Sequence, residues 1–258
     1  MKKLQSITHK FSVLFALIVI IALWYFANAA ELVPAFMLPS PSDVAEALVN
    51  DLPTLLMHAR ITLQEAAYGL LTGIITAFII ATVMERFAMF NRAMYPVLVL
   101  TQTIPIVAIA PLLVLWMGFG MAPKITVVAI TTFFPIAVNL LDGYRSADPD
   151  AIQLLRSIGA NRHQIFFNIK LPAAMSHFFS GLRIATSYAV IGAVIAEWLG
   201  GTAGLGVYMT RVQNAYAFDK MFAVILLITV ISILLMFLVN FIRSKAMPWE
   251  RVEKQERK

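Results

Sequence analysis

The chain has 258 residues, 60% of them apolar and only 13% charged, with no cysteine and a formal net charge of +6. So little charge cannot cover a water-soluble globule of this size, which points to an integral membrane protein, and the absence of cysteine excludes disulfides and thiolate metal sites. The positive balance would suit a nucleic-acid partner, but it clusters between and beyond apolar stretches, the pattern of membrane orientation, and no nucleic acid is expected.

Residues 11–30 are apolar and follow Lys2, Lys3 and Lys10. They fit a first transmembrane helix or a cleaved export signal. Ala27-Asn28-Ala29 resembles a cleavage site, while a stretch of about 20 residues is longer than a usual signal core and favours retention as a span. Leu38-Pro39-Ser40-Pro41-Ser42 predicts an extended entry to a short piece over residues 43–52, with Val44, Ala47 and Leu48 as its apolar face. The second span is expected over residues 61–83. Its Gly69, Gly73, Ala77 and Ala81 recur every fourth residue, a face of small side chains that lets another helix of the same subunit approach closely.

A third span over residues 95–116 carries Pro96, Pro105 and Pro111, which predict kinks. Gly118-Phe119-Gly120 turns into a fourth over residues 123–141, and a fifth over residues 178–199 repeats the small-residue device with Gly181, Ala185, Ala189 and Ala193. Glu197 continues that row, so its carboxylate is expected to face protein rather than lipid. Gly200, Gly201, Gly204 and Gly206 mark a looping exit, residues 208–220 an exposed connection, residues 221–242 the sixth span, and the run from Arg243 onward a charged, solvated tail.

Six spans put both termini and the loop of residues 142–176 on one side. All of the 20 basic residues except Arg60, Lys124, Arg211 and Lys220 then fall on that side, which makes it cytoplasmic. The loop has helical patterning of its own. Asp148 can cap a helix beginning at Pro149 and Asp150, and Ala151, Leu154, Leu155 and Ile158 form an apolar stripe at helical spacing. Gly159 suits a left-handed helix end, and Asn161 with Gln164 reads as a second start. The second short helix, residues 164–170, carries Ile165, Phe166 and Ile169, and Pro172 is expected to stop it. Such helices lie on the membrane surface or dock into a partner protein.

No constellation suits an intramembrane enzyme. His58 belongs to the outer end of the second span and His9, His163 and His177 to the cytoplasm, away from Ser187 and Ser232; there is no metal-ligand motif and no phosphate loop. The chain is therefore read as a non-enzyme with no cofactor of its own. Glu65, Glu197 and Arg183 sit near span ends, where snorkelling accounts for them, a charge at the bilayer centre costing roughly 3 kcal/mol. Uncharged polar groups are better suited to a path: Thr101, Gln102 and Thr103 in the third span, Thr131, Thr132 and Asn139 in the fourth, Thr186, Ser187 and Tyr188 in the fifth. Gln102, beside the Pro105 kink, is the first candidate, with Thr103, Asn139, Ser187 and Glu197 after it.

Gly159, then nine residues, then Ile169, Lys170, Leu171 and Pro172 resemble the loop signature of ABC importer membrane subunits. That family's signature opens with Glu-Ala-Ala, where this chain has Gln153, Leu154 and Leu155, so the docking helix is carried over without its charged contact. Leu38-Pro39-Ser40-Pro41-Ser42, Thr103-Ile104-Pro105 through Ala110-Pro111-Leu112, and Phe134-Pro135-Ile136 are similar to the permease branch for sulfonates, taurine, nitrate and thiamine precursors. Within it, Gln102-Thr103-Ile104-Pro105, Asp142-Gly143-Tyr144-Arg145-Ser146, and Ile191-Gly192-Ala193 through Glu197-Trp198 look closest to importers of pyrimidine precursors of thiamine. The resemblance implies one all-α permease domain over residues 1–258, of the type I fold with about six transmembrane helices, in a prokaryotic cell membrane. It also implies a homodimer, an extracytoplasmic binding protein and a separate ATPase subunit that binds ATP and docks on Gln153, Leu154, Leu155, Ile158, Gly159, Ala160, Ile169, Leu171 and Pro172. A secondary transporter and a membrane scaffold remain the alternatives; the first needs no ATPase, the second no path.

Overall fold

The structure is a computed structural model that describes residues 2–30, 32–34 and 37–248, with side chains described from Phe15 onward, residue 17 apart. The tail bases Arg251, Lys254, Arg257 and Lys258, and the side chains of Lys2, Lys3 and Lys10, lie outside the described residues. Every regular element among those described is helical: α1 (Lys2–Ala29), α2 (Pro41–Asn50), α3 (Leu52–Arg86), α4 (Ala88–Thr103), α5 (Ile106–Met117), α6 (Met121–Arg145), α7 (Pro149–Ser157), α8 (Arg162–Ile165), α9 (Leu171–Gly200), α10 (Leu205–Asn214) and α11 (Phe218–Ala246). Four helical stretches, Leu52–Arg86, Met121–Arg145, Arg162–Gly200 and Phe218–Ala246, are long and apolar enough to cross a membrane, and α4 with α5 form a pair bent by 99°. The first expected span is helical throughout residues 11–29.

The chain divides into two compact units. The smaller comprises residues 1–57 and 208–227. Here Ser40 caps α2 and forms a reciprocal capping box with Asp43, so the proline-rich entry acts as the helix start, and Val44 and Ala47 are buried as expected. Trp24 Nε1 donates to Pro39 O (3.0 Å), Asn28 Nδ2 donates to Leu38 O (2.7 Å), and Trp24 stacks on Phe222. Asp51 accepts from Tyr208 Oη (2.5 Å) and pairs with Lys220 (2.9 Å). The Tyr208 hydroxyl first and Lys220 second hold the Asp51 carboxyl below its ordinary value, while burial and Asp51 push the Tyr208 phenol up. A depressed carboxylate contributes stability at neutral pH and loses it as the pH falls through its folded value. Residues 208–220 are only in part the exposed connection expected from sequence: Arg211 and residues 213–216 are exposed, but the stretch opens in a helix with a buried side. Leu205, Tyr208 and Val212, at i, i+3 and i+7, form the buried stripe of α10.

The larger unit comprises residues 58–207 and 228–258, and its centre is the α6–α9 pair. Small residues set the approach: a side chain at Gly181 would meet Pro135 O at 2.6 Å, and one at Gly143 would meet the backbone of Ala174 at 2.6 Å. On the other side of α6, Gly69 and Gly73 of α3 abut Val128 and Thr132. Ala77, Ala81, Ala185, Ala189 and Ala193 are all buried, so both rows of small residues pack inside the subunit as expected. Ile136, Leu140, Leu141 and Tyr144 of α6 fill the core with Ala174, Phe179 and Leu182 of α9, Met84 of α3 and Leu98 of α4.

Two expectations about prolines are corrected. The third span is not one kinked helix. It starts at Ala88 and breaks at Ile104, whose extended backbone (φ −83°, ψ 121°) is the conformation a following proline enforces, and Pro105 caps α5. Pro96 and Pro111 lie within helices. Pro172, conversely, does not stop a helix. A five-residue π-turn, Phe166–Lys170, closed by Leu171 N–H donating to Phe166 O, carries α8 into α9, and Pro172 occupies the first turn of α9. The wider turn sits where the ring of Pro172 would otherwise meet the carbonyl of Asn168.

Candidate coupling surface and translocation cavity

The segment between α6 and α9 is built by its own capping residues. Asp148 Oδ1 accepts from Asp150 N–H (2.9 Å) with Pro149 in the first turn of α7. At the other end Gly159 has φ +87°, its N–H donates to Arg156 O (3.0 Å), and Ala160 N–H donates to Leu155 O (2.9 Å). This pair of bonds is the Schellman termination that needs a residue without Cβ at the left-handed position. Asn161 and Gln164 then exchange side-chain bonds of 2.8 and 2.9 Å, starting α8. Within the expected loop of residues 142–176, only residues 146–148 and 158–161 lie outside helices.

Its two halves are held very differently. Beyond the glycine, Ile165 is buried, Phe166 packs on Tyr144 with ring centroids 5.4 Å apart, and Lys170 forms an ion pair with Glu85 at the end of α3. Helix α7 has no buried residue: Leu154 is 64% exposed, Ile158 at its C-cap is 72% exposed, and Gln153 is exposed beside them. Ile169 and Leu171 are half-buried, Ala160 is half-buried next to the exposed Gly159, and Pro172 is exposed. Of the apolar stripe read from sequence, Leu154 and Ile158 are thus left uncovered within this chain, while Ala151 and Leu155 are half-buried, on a helix with a side-chain cap at one end and a glycine termination at the other.

At the break between α4 and α5 lies a cavity of about 260 Å³. Thr101, Gln102, Thr131 and Tyr188 supply its polar groups, and Pro105, Ile106 and Ile191 part of its apolar wall. Gln102 is therefore placed beside Thr131 and Tyr188, which sequence reading named only as general polar candidates. Thr103, Asn139, Ser187 and Glu197 do not line it. Thr103 is exposed and its hydroxyl donates to Leu100 O (2.9 Å); Asn139 Nδ2 donates to Pro135 O (2.7 Å); Ser187 is half-buried.

Glu197 belongs to a buried polar cluster near the expected outer end. Its Oε1 accepts from Thr62 Oγ1 (2.7 Å) and its Oε2 from Gly206 N–H (2.6 Å), while Leu205 N–H donates to Thr62 Oγ1 (2.8 Å) and Gly204 N–H to His58 Nδ1 (3.0 Å). Nearby, Lys124 Nζ lies 2.6 Å from Glu65 Oε1, and both side chains are under a tenth exposed. Snorkelling is thereby corrected for Glu65 and Glu197, each 1% exposed, because their partners sit within the protein rather than in water. Arg183 is exposed. The cluster fastens the glycine-rich exit from α9 to α3. The signal that could have found it was the small-residue row ending in Glu197, which turns the carboxylate inward.

Comparison with known proteins places this geometry. Residues 69–247 match the family model described as "Binding-protein-dependent transport system inner membrane component". A Haemophilus influenzae protein named "Probable ABC transporter permease protein" is 35% identical over 87% of this chain and 91% of its own. The formylaminopyrimidine transport permease ThiX of Halalkalibacterium halodurans is 34% identical over 84% of this chain and 87% of its own. The taurine transport system permease TauC of Escherichia coli is 27% identical over 90% and 87%. Among solved structures, an inward-facing form of the MetNI methionine ABC transporter superposes with a TM-score of 0.66 at 17% identity, over 74% of this chain and 95% of that one, a likeness of fold.

Proposed function

The chain belongs to the family of binding-protein-dependent transport system inner membrane components and is a multi-pass ABC importer permease, a transport subunit; from that premise we propose that α7 is where a separate ATP-binding subunit docks. The observation that carries this is the exposed apolar face of α7, with Leu154 and Ile158 projecting from a helix fixed by the Asp148 cap and the Gly159 termination. An amphipathic helix presented this way fits an apolar groove on a partner. ATP is bound and hydrolysed by that partner, and this chain contributes the docking helix and the path. Gln153, in place of a glutamate, leaves that position of the contact polar but uncharged. The assembly is completed by a second copy of this chain and an extracytoplasmic binding protein, with α7 and both termini in the cytoplasm.

For the solute, we favour a pyrimidine precursor of thiamine, of the hydroxymethylpyrimidine type. The amide of Gln102 can donate to and accept from a heteroaromatic edge, and Tyr188 offers an aromatic face in the same cavity. The similarity to ThiX supports this reading. Import of aliphatic sulfonates, taurine or nitrate by the same mechanism is the second reading, supported by the similarity to TauC.

Two experiments test the proposal. Leu154→Asp with Ile158→Asp is expected to abolish copurification of the ATP-binding subunit while the permease still inserts; unchanged copurification and transport would remove α7 as the dock. A ligand-induced thermal shift of the cognate binding protein, screened over aminopyrimidines, sulfonates and nitrate, decides the solute. A response to sulfonates or nitrate alone overturns the pyrimidine reading.

A further inference from the structure

A second cavity, of about 600 Å³, opens where α3 ends and the α7–α9 segment begins. It is walled by Arg86, the last residue of the α3 span, by Arg156 of α7 and by Arg162, the first residue of the long Arg162–Gly200 span. Lys170 and the carboxylate of Glu85 also line it and pair with each other, which leaves the three arginines as its net charge. Among the described residues no carboxylate pairs with Arg86, Arg156 or Arg162, and all three are exposed. Ile165, Phe166 and Phe167 give the cavity an apolar floor. Three guanidinium groups beside apolar side chains, where α3 ends and the helical stretch leading into α9 begins, make a receptor for an amphiphile with an anionic head.

We propose that this cavity holds the phosphate of an anionic phospholipid. The planar forks of Arg86, Arg156 and Arg162 grip phosphate oxygens, and the acyl chains run along the spans beside Phe167. Because Arg156 stands on α7 while Arg86 ends α3 and Arg162 begins the helical stretch that continues into α9, the bound head ties the docking helix to the cytoplasmic ends of the helices that cross the bilayer. Lipid composition then regulates how α7 is presented. The inference rests on the cytoplasmic placement of this end, which cysteine labelling tests separately.

The test uses the full chain purified with its ATP-binding partner. Retention of phosphatidylglycerol and of phosphatidylcholine with the same acyl chains is measured by native mass spectrometry. Phosphatidylglycerol is expected to be retained preferentially, at about fivefold per participating arginine. The preference should be lost in the Arg86→Gln, Arg156→Gln, Arg162→Gln triple variant and kept in Arg60→Gln. The corresponding triple lysine variant keeps the charge needed for insertion and is expected to be intermediate, since lysine lacks the fork. Equal retention of the two lipids by the unaltered protein overturns the proposal without any variant. So does an unchanged preference in the glutamine variant. Inorganic phosphate bound with the same arginine dependence, in the absence of lipid preference, would make this a free-phosphate site instead. A glutamine variant that releases the ATP-binding subunit while still retaining phosphatidylglycerol would assign the arginines to the protein contact. Loss of lipid preference with the expected labelling pattern intact leaves the proposed orientation standing.

Discussion

At Gly159 the backbone alone sets the requirement. Nothing lies within 4 Å of a Cβ added there, yet φ is +87°, so the penalty for a larger residue is conformational rather than steric. Gly159→Ala and Gly159→Val should each cost about 1–2 kcal/mol in that local turn and misalign α7 against α8. Transport is expected to fall with insertion intact in both; a Gly159→Val protein that inserts and transports at the normal rate would exclude a precise α7 geometry. Lys124 makes a different demand. Removing one partner of a buried ion pair strands the other, so Lys124→Met should destabilise the fold by about 3–5 kcal/mol. Adding Glu65→Gln should recover most of that loss, because the stranded charge is gone. Melting temperatures in detergent check it, and a single variant as stable as the parent contradicts a pair isolated from water.

At the level of elements, the contact of α3, α6 and α9 depends on missing side chains. Lipid is as apolar as leucine, so apolarity gives these helices little reason to associate, and close backbone approach must supply it. Gly73 abuts Thr132, and Ala189 is buried against the same helix group. Gly73→Leu and Ala189→Leu raise hydrophobicity, yet each should cost about 1–3 kcal/mol through overpacking. Leucine at Ile79, which is 57% exposed, is the matched control and should be nearly silent. If both small-to-large variants melt with the parent and transport fully, the packing described for this core is wrong.

At the scale of the whole molecule, the distribution of basic residues is the ground for the proposed orientation, and the absence of native cysteine makes that orientation directly measurable. An impermeant thiol reagent should label Asn214→Cys on intact cells and Ser157→Cys only after permeabilisation. Both positions are exposed in the structure, so shielding within the chain does not enter. The reverse pattern would invert the proposed topology and remove the docking helix from the reach of ATP.

Local chemistry is what the sequence by itself determined. The Asp148 cap, the Gly159 termination, the Asn161–Gln164 box and the two small-residue rows depend on neighbours at most four positions apart, and all of them stand in the structure where the residue spacing put them. The membrane class followed from composition for the same reason, being a property of the chain rather than of its contacts. The kink expected at Pro105 is present, but which of the other prolines bend a helix could not be read this way. Pro105 breaks the chain by 99° while Pro111 lies within a helix and Pro172 within a span, because packing around each decides whether its lost hydrogen bond is compensated. The buried cluster of Glu65, Lys124, Thr62 and Glu197, and the meeting of Gln102, Thr131 and Tyr188 around one cavity, were decided only by tertiary structure. Their partners lie on different helices, tens of residues apart, and a charge near a span end reads as solvated until the fold brings its counter-charge within 3 Å.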